Sequence, residues 1–139
     1  MRYLDKLQPL ALLILRLVLG IIMIGHGYSK VFGGLHHHVQ MVSSLGLPGW
    51  LAYFSAAAEF LGGILVILGL LTRFAALAIT INLGVAIVKV HWHNGLLGNG
   101  GYQFPLALAA IAFALIFLGA GPIALEGLRG GVGSGRSPK

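Results

Sequence analysis

The sequence contains no cysteine among its 139 residues. A chain without thiols forms no disulfide, carries no CxxC redox pair, ligates no iron–sulfur cluster and attaches no c-type haem covalently. Any electron transfer would therefore depend on an organic cofactor such as a quinone, on a haem held by histidines, or on a partner subunit.

Charged residues are also scarce. They make up 9% of the chain, against 58% hydrophobic residues, and the mean hydropathy is +0.93. A soluble domain has about 25% charged residues, so this chain could not cover a water-exposed surface. The net charge of +6 does not indicate nucleic acid as a partner. The basic residues are scattered singly beside apolar runs, the pattern of membrane-edge anchors, which predicts the lipid bilayer as the partner.

Four apolar runs approach the roughly 20 helical residues that a bilayer crossing requires. We predict an all-α integral membrane four-helix bundle in residues 1–126 and a flexible Gly- and Ser-rich tail in residues 127–139. Arg16 interrupts the first run and no small-residue cleavage site follows it, which favours a retained helix over a signal peptide. A tight hairpin at Gly69 and Thr72, and a short interfacial helix over residues 35–45, complete the prediction. The four predicted helices cover residues 9–27, 48–71, 73–90 and 103–121.

The distribution of Lys and Arg predicts the orientation. Lys30 and Lys89 fall at one end of the predicted helices, whereas most basic residues fall at the other end. That larger set consists of Arg2, Lys6, Arg73, Arg129, Arg136 and Lys139. We therefore expect both termini in the cytoplasm and a multi-pass protein of the inner (plasma) membrane.

Arg16 and Glu59 are ionisable residues at positions that should lie in hydrocarbon, where such groups face a bundle interior or a wet cavity. Helical side chains lean toward their own N-terminus. Arg16 then leans toward the cytoplasm, either into the bundle or snorkelling to the headgroups, and Glu59 leans outward. This disfavours a direct Arg16–Glu59 pair and favours His26, Lys30 or Lys89 as partners of Glu59.

The outer half gathers enough polar groups to line a pocket with Glu59 as its floor, suited to a quinone headgroup, a small anion or a proton relay. The run His36-His37-His38 is interpreted as a surface loop and not as a metal site, because its spacing does not suit metal ligation. A haem between His26 and His91 or His93 is disfavoured, since nothing in the spacing demands it. The polar groups of the outer half are His26, Lys30, Glu59, Lys89, His91, His93, Tyr102 and Gln103.

Several sequence pieces over residues 10–121 together resemble the DoxX family of small bacterial membrane proteins. They are Leu15-Arg16-Leu17-Val18-Leu19-Gly20, Gly25-His26-Gly27-Tyr28-Ser29-Lys30, Glu59-Phe60-Leu61-Gly62-Gly63, Leu68-Gly69-Leu70-Leu71-Thr72-Arg73 and Gly101-Tyr102-Gln103-Phe104-Pro105. The resemblance implies a four-helix membrane protein. Some members are linked to quinone-coupled thiosulfate oxidation and others to membrane complexes that handle oxidative stress. The resemblance assigns no catalytic residues to this chain. Distant relatives of the family have other roles, so the fold does not determine the function.

The leading hypothesis is a small membrane subunit of a redox system that binds a quinone or similar lipid near the outer face. Glu59 and His26 are the candidate catalytic residues, which would handle protons. Among the candidate cofactor-binding residues, Lys30, Lys89 or Tyr102 would polarise a carbonyl oxygen and Gln103 would line the pocket. Arg16 and Asn82 complete that set as structural groups or a lower relay. The alternatives are a small-solute permease or export helper and a non-catalytic assembly factor. A homo-oligomer or a partner redox subunit is expected in each case.

Overall fold

The computed structural model describes residues 2–125, and all regular structure in this range is helical. A short helix α1 precedes five longer ones, and the predicted flexible tail lies outside the described residues. After α5 the chain continues through a π-helical turn, Ile87–His91, and a 3₁₀ turn, Trp92–Asn94. The helices are α1 (Arg2–Asp5), α2 (Gln8–Phe32), α3 (Leu35–Ser44), α4 (Leu51–Leu68), α5 (Thr72–Ala86) and α6 (Gln103–Leu118).

Three helical segments are long and apolar enough to cross a membrane: α2 with 25 residues, α4 with 18, and the continuous stretch Thr72–Asn94 with 23. The fourth predicted span, α6, is apolar but shorter, with 16 residues. It ends at Leu118 because Gly119 adopts a φ of 72°, a conformation that ends helices and that glycine adopts without strain. Helix α2 extends beyond the predicted residue 27 to Phe32.

The connection between α4 and α5 is the predicted tight hairpin. Gly69, with a φ of 72°, ends α4 in the left-handed conformation, and the backbone N–H groups of Gly69 and Leu70 both donate to the carbonyl of Leu65. This arrangement satisfies carbonyls of the last turn that would otherwise lack partners. Leu71 then adopts a φ of 48°, and Thr72 starts α5.

Helices α2 and α4 form the closest packing in the described structure, through glycines. A Cβ added at Gly27 would lie 2.6 Å from the backbone nitrogen of Phe60, and one at Gly63 would lie 2.8 Å from the carbonyl oxygen of Gly20. Small residues at such contacts let helix backbones approach each other closely. In lipid, where no hydrophobic driving force acts between helices, such close packing contributes to their association. Helix α5 joins α4 to α6, and Leu19, Met23, Val66, Ile79 and Leu115 are among the core residues.

The helices define two ends of the molecule. The "Arg16 end" contains the α4–α5 hairpin and the C-terminus of α6, and the "Lys30 end" contains the C-terminus of α2 and the N-terminus of α4. Helix α3 lies at the Lys30 end and packs on α4 and α2. It corresponds to the predicted interfacial helix.

Candidate ligand-binding site

Glu59 forms an ion pair with Lys30. The Lys30 Nζ lies 2.6 Å from Oε1 and 2.8 Å from Oε2 of Glu59. Lys30 belongs to the last turn of α2, and Glu59 belongs to the middle of α4. Helical side chains lean toward the N-terminus of their helix, and α4 starts at the Lys30 end, so the Glu59 side chain leans toward Lys30. Glu59 is buried, and a buried carboxylate requires such a partner because hydrocarbon does not solvate its charge.

Helix α5 extends this pair into a network. The Asn82 Nδ2 donates to Glu59 Oε1 at 3.1 Å, and the Ser55 hydroxyl donates to the Asn82 Oδ1 at 2.5 Å. The "Glu59 network" of Lys30, Ser55, Glu59 and Asn82 therefore connects α2, α4 and α5. The carboxylate receives hydrogen bonds from both an ammonium and an amide, and these bonds offset the cost of its burial.

A groove of about 350 Å³ opens between α3, α4 and α5. Its polar lining consists of His38, Ser55, Asn82 and Lys89, and Ser55 and Asn82 are the members of the Glu59 network that reach it. The remainder of its lining is almost entirely apolar. The apolar residues include Met41, Leu51, Phe54, Phe74, Leu77, Ile81 and Val85.

The groove has a polar end and an apolar length. On α5 and the turn after it, the lining extends from Phe74 to Val90, a distance of about 24 Å along a helix. Asn82 and Lys89 lie toward the Lys30 end, whereas Phe74 and Leu77 lie toward the Arg16 end. Phe54, Phe74 and Ile81 are also strongly exposed, so in a bilayer the open side of the groove faces hydrocarbon.

His38 is the groove residue that sequence reasoning missed. The interpretation of His36-His37-His38 as a surface loop is wrong, because all three residues lie in α3. Successive residues of a helix point about 100° apart, so His36 and His37 are exposed whereas His38 is buried. His38 lies three residues after Leu35 and four residues before Val42, so the three side chains share one face of the helix. This apolar spacing is the signal that could have identified His38 as the histidine that faces inward.

The environment of His38 favours the neutral imidazole. Burial lowers the pKa of His38 below 6.5, the positive charges of Lys30 and His37 add to this lowering, and the carboxylate of Glu59 opposes it. Within residues 2–125 the His38 Nε2 has no hydrogen-bond partner. It is therefore a buried polar atom at a groove wall with a free hydrogen-bonding position.

Five of the predicted pocket residues neither line the groove nor belong to the Glu59 network: His26, His91, His93, Tyr102 and Gln103. His26 is exposed on α2, with its ring centroid 6.2 Å from that of Phe104. Tyr102 stacks on Trp92, with ring centroids 5.3 Å apart, and Gln103 is exposed at the start of α6. The structure thus brings together Lys30, Glu59 and Asn82, and places Lys89 at the groove.

Arg16 is 1% exposed and lies at the opposite end of the molecule from the groove's polar end. Its Nε donates to the carbonyl of Val66 at 2.9 Å, and its two terminal nitrogens donate to the carbonyls of Ile67, Ala120 and Ile123. It therefore faces the interior of the protein and does not snorkel. The guanidinium binds the C-terminal turn of α4, where carbonyls lack helical partners and carry partial negative charge.

No cluster of three or more His, Asp or Glu side chains suited to a metal ion occurs in the part of the chain that the structure describes. The candidate ligand site is thus the groove, which combines an apolar length with a few polar groups at one end, the usual composition of small-molecule sites.

Comparison with known proteins identifies relatives along most of the chain. The family model described as DoxX matches residues 11–92. CatD of Bacillus subtilis, which carries the provisional name of an oxidoreductase, is 36% identical over 91% of this chain and 96% of its own length. The Escherichia coli inner membrane protein YphA is 35% identical over 66% of this chain and 69% of its own length, and the inner membrane protein YqjF is 32% identical over 52% and 55%. No solved structure gives a significant match.

Proposed function

The chain belongs to the DoxX family, and on this basis we propose that it is a redox-associated subunit that binds a quinone or a similar lipid in the groove. Its apolar helices and its inner membrane relatives identify it as a multi-pass inner membrane protein. The provisional name of its relative CatD supports an association with oxidoreduction.

The observation that carries the proposal is the division of the groove into a polar end and an apolar length. A quinone combines a flat ring bearing two carbonyl oxygens with a long apolar tail. Ser55, Asn82, His38 and Lys89 lie at the end where the ring would bind, and the apolar lining continues from there toward Phe74. The volume of about 350 Å³ lies within the range of about 300 to 1,000 Å³ typical of small-molecule sites.

The Glu59 network has a defined role in this arrangement. Asn82 faces the groove while its amide is held by Glu59 and by Ser55, so its orientation is fixed before a ligand arrives. Lys30 neutralises Glu59 from the side of α2. Glu59 and Lys30 thus act on a ligand through Asn82, and Lys89 lies in contact with the groove as an exposed cation. No ligand contact is assigned to His26, Tyr102, Gln103 or Arg16.

The proposed membrane arrangement is a four-helix bundle with both termini cytoplasmic and the Lys30 end outside. Helix α6 would be the fourth span, although its 16 residues cover only about 24 Å. Local thinning of the bilayer and snorkelling of flanking residues accommodate such short spans at modest cost. The groove's polar end then lies near the outer face, at the depth of a quinone headgroup.

A ligand titration tests the proposal. The purified protein in nanodiscs is titrated with decyl-ubiquinone and with a short-tailed menaquinone, and quenching of Trp50 and Trp92 fluorescence is measured. We expect saturable quenching in the wild type. Asn82→Leu and Glu59→Gln should each weaken binding by about tenfold, the effect of losing roughly 1.4 kcal/mol of binding energy.

Gln103→Ala is the matched control, because Gln103 is polar and exposed but does not line the groove. It should leave the affinity unchanged. Absence of saturable binding in the wild type, or unchanged binding in both Glu59→Gln and Asn82→Leu, would overturn the proposal.

A further inference from the structure

His38 presents an anomaly in hydrogen bonding. Its side chain is 5% exposed, and its Nε2 has no partner among the described residues. Buried polar atoms in native proteins nearly always have a hydrogen-bond partner, because leaving one unsatisfied costs the desolvation of the group without a compensating bond. Within the described residues, the His38 Nε2 is therefore available to a ligand in the groove that His38 lines.

The position of His38 indicates where that molecule lies. His38 lines the groove from α3, and Ser55 and Asn82 line it from α4 and α5. The Ser55 hydroxyl already donates to the Asn82 Oδ1, and the Asn82 Nδ2 already donates to the Glu59 Oε1. His38 is thus a polar group of the groove wall whose Nε2 is not committed to the protein.

The charges around His38 indicate the chemistry of the ligand. Lys30 on α2 and Glu59 on α4 form a mutually neutralised pair, His37 is its neighbour on α3, and Lys89 lines the groove beyond α5. The Nε2 of a neutral imidazole offers one directional hydrogen bond, as donor or acceptor according to the tautomer, and the ring carries no charge. Such a group suits a neutral headgroup with an oxygen atom, such as a carbonyl or hydroxyl, on an apolar body.

We propose that His38 is the residue that hydrogen-bonds the headgroup oxygen of the lipid in the groove, through Nε2. This inference rests on the proposed function and assigns the headgroup contact to α3. A carbonyl oxygen accepts a hydrogen bond from Nε2–H, and a hydroxyl donates one to the unprotonated Nε2 of the other tautomer. One neutral histidine can therefore bind both the quinone and the quinol form.

The test compares two ligands with the same tail. Decyl-ubiquinone carries the carbonyl oxygens, and decylbenzene lacks them. In wild-type nanodiscs we expect the quinone to bind at least about tenfold more tightly than the hydrocarbon. His38→Phe should remove this preference while leaving the affinity for decylbenzene unchanged. His37→Phe is the matched control, since His37 is the exposed neighbour on the same helix, and it should retain the preference.

The carbonyl stretching band of ¹³C-labelled quinone provides a second measurement. Hydrogen bonding from Nε2–H lowers its frequency, so the shift should occur in wild type and His37→Phe and be absent in His38→Phe. His38→Gln, which keeps a donor of smaller size, should recover part of the shift and serves if the phenylalanine variant does not fold.

The outcomes separate the two proposals. If the wild type binds the quinone and His38→Phe keeps both the preference and the band shift, the assignment of His38 is overturned and the proposed function stands. If the wild type binds neither ligand, the proposed function and the inference both fail.

Discussion

At the scale of single residues, Arg16 shows how the fold accommodates a charge far from water. The guanidinium donates to carbonyls at the end of α4 and in the segment after α6, so its planar, forked donors match several acceptors at once. Gly69 also leaves room for it, because a Cβ at Gly69 would lie 2.6 Å from the Arg16 Nη2. Arg16 thus joins three segments at the Arg16 end.

Arg16→Lys tests this interpretation of Arg16 as a structural residue. A lysine retains the charge but cannot reach several carbonyls in the fixed geometry of a guanidinium, and buried acceptors left unsatisfied are costly. We expect the free energy of unfolding to fall by at least about 2 kcal/mol, measured by SDS titration in mixed micelles. Ligand affinity, extrapolated to fully folded protein, should not change.

Arg73→Lys is the control for that experiment. Arg73 also donates to carbonyls of a helix end, those of Ile116 and Phe117 on α6, but it is exposed. Its replacement should change the stability by no more than about 0.5 kcal/mol. Equal effects of the two substitutions would contradict the role assigned to burial.

The predicted and observed sites differ because a sequence indicates how deep a side chain lies in the membrane and toward which helix end it leans. It does not indicate which neighbouring helix that side chain faces. A carboxylate in hydrocarbon requires a partner, and the Glu59 side chain leans toward the end of the helices at which Lys30 lies. His26 and Lys30 lie four residues apart on α2, yet only Lys30 contacts Glu59, because the rotation of α2 about its axis depends on packing against α4. His38 was missed since three consecutive histidines do not reveal which of them faces inward.

At the scale of helices, the α2–α4 contact depends on glycines that approach the opposite backbone. Gly27 lies against Phe60, and Gly20 and Gly63 lie against each other. Lys30 and Glu59 belong to the same two helices. The distance between α2 and α4 therefore determines both the packing and the geometry of the ion pair.

Gly27→Ala should separate the two helices. The added methyl group would lie 2.6 Å from the Phe60 nitrogen, a contact that only a backbone shift can relieve. We expect a loss of about 1 to 3 kcal/mol in the free energy of unfolding, measured by SDS titration, together with weaker quinone binding.

Gly25→Ala offers a closely matched comparison two residues earlier on α2. Nothing lies within 4 Å of a Cβ at Gly25, so alanine should be neutral or stabilise the helix by up to about 1 kcal/mol through its higher helix propensity. A loss of stability in Gly25→Ala as large as that in Gly27→Ala would refute the importance of the close contact.

The sequence predicted the existence and type of the apolar helices well, because long apolar runs leave few alternatives in a membrane protein. Their ends were predicted less well. Helix α2 continues past Gly27 to Phe32 because Gly27 packs against Phe60 of α4 and does not end the helix. The π-helical turn at Ile87–His91 has no sequence signature, although such turns often occur at functional sites, and this one carries Lys89 to the groove.

At the scale of the whole molecule, the distribution of Lys and Arg predicts the orientation in the membrane. Positive charge near helix ends keeps those ends in the cytoplasm. Arg2, Lys6 and Arg73 lie at the Arg16 end, whereas Lys30 and Lys89 lie at the Lys30 end. The rule counts Lys and Arg and not the net charge, so the pairing of Lys30 with Glu59 leaves the prediction of cytoplasmic termini as it was.

Labelling of single introduced cysteines tests this orientation without background, since the chain has no native cysteine. Tyr3→Cys lies in α1 at the Arg16 end, and Gly98→Cys lies in the loop between the 3₁₀ turn and α6 at the Lys30 end. With a membrane-impermeant maleimide, Gly98→Cys should react in intact spheroplasts, whereas Tyr3→Cys should react only after lysis. The opposite pattern would invert the orientation and move the groove's polar end to the cytoplasmic face. Labelling of both positions from the same side would require an even number of crossings between them, and would contradict three crossings by α2, α4 and the stretch Thr72–Asn94.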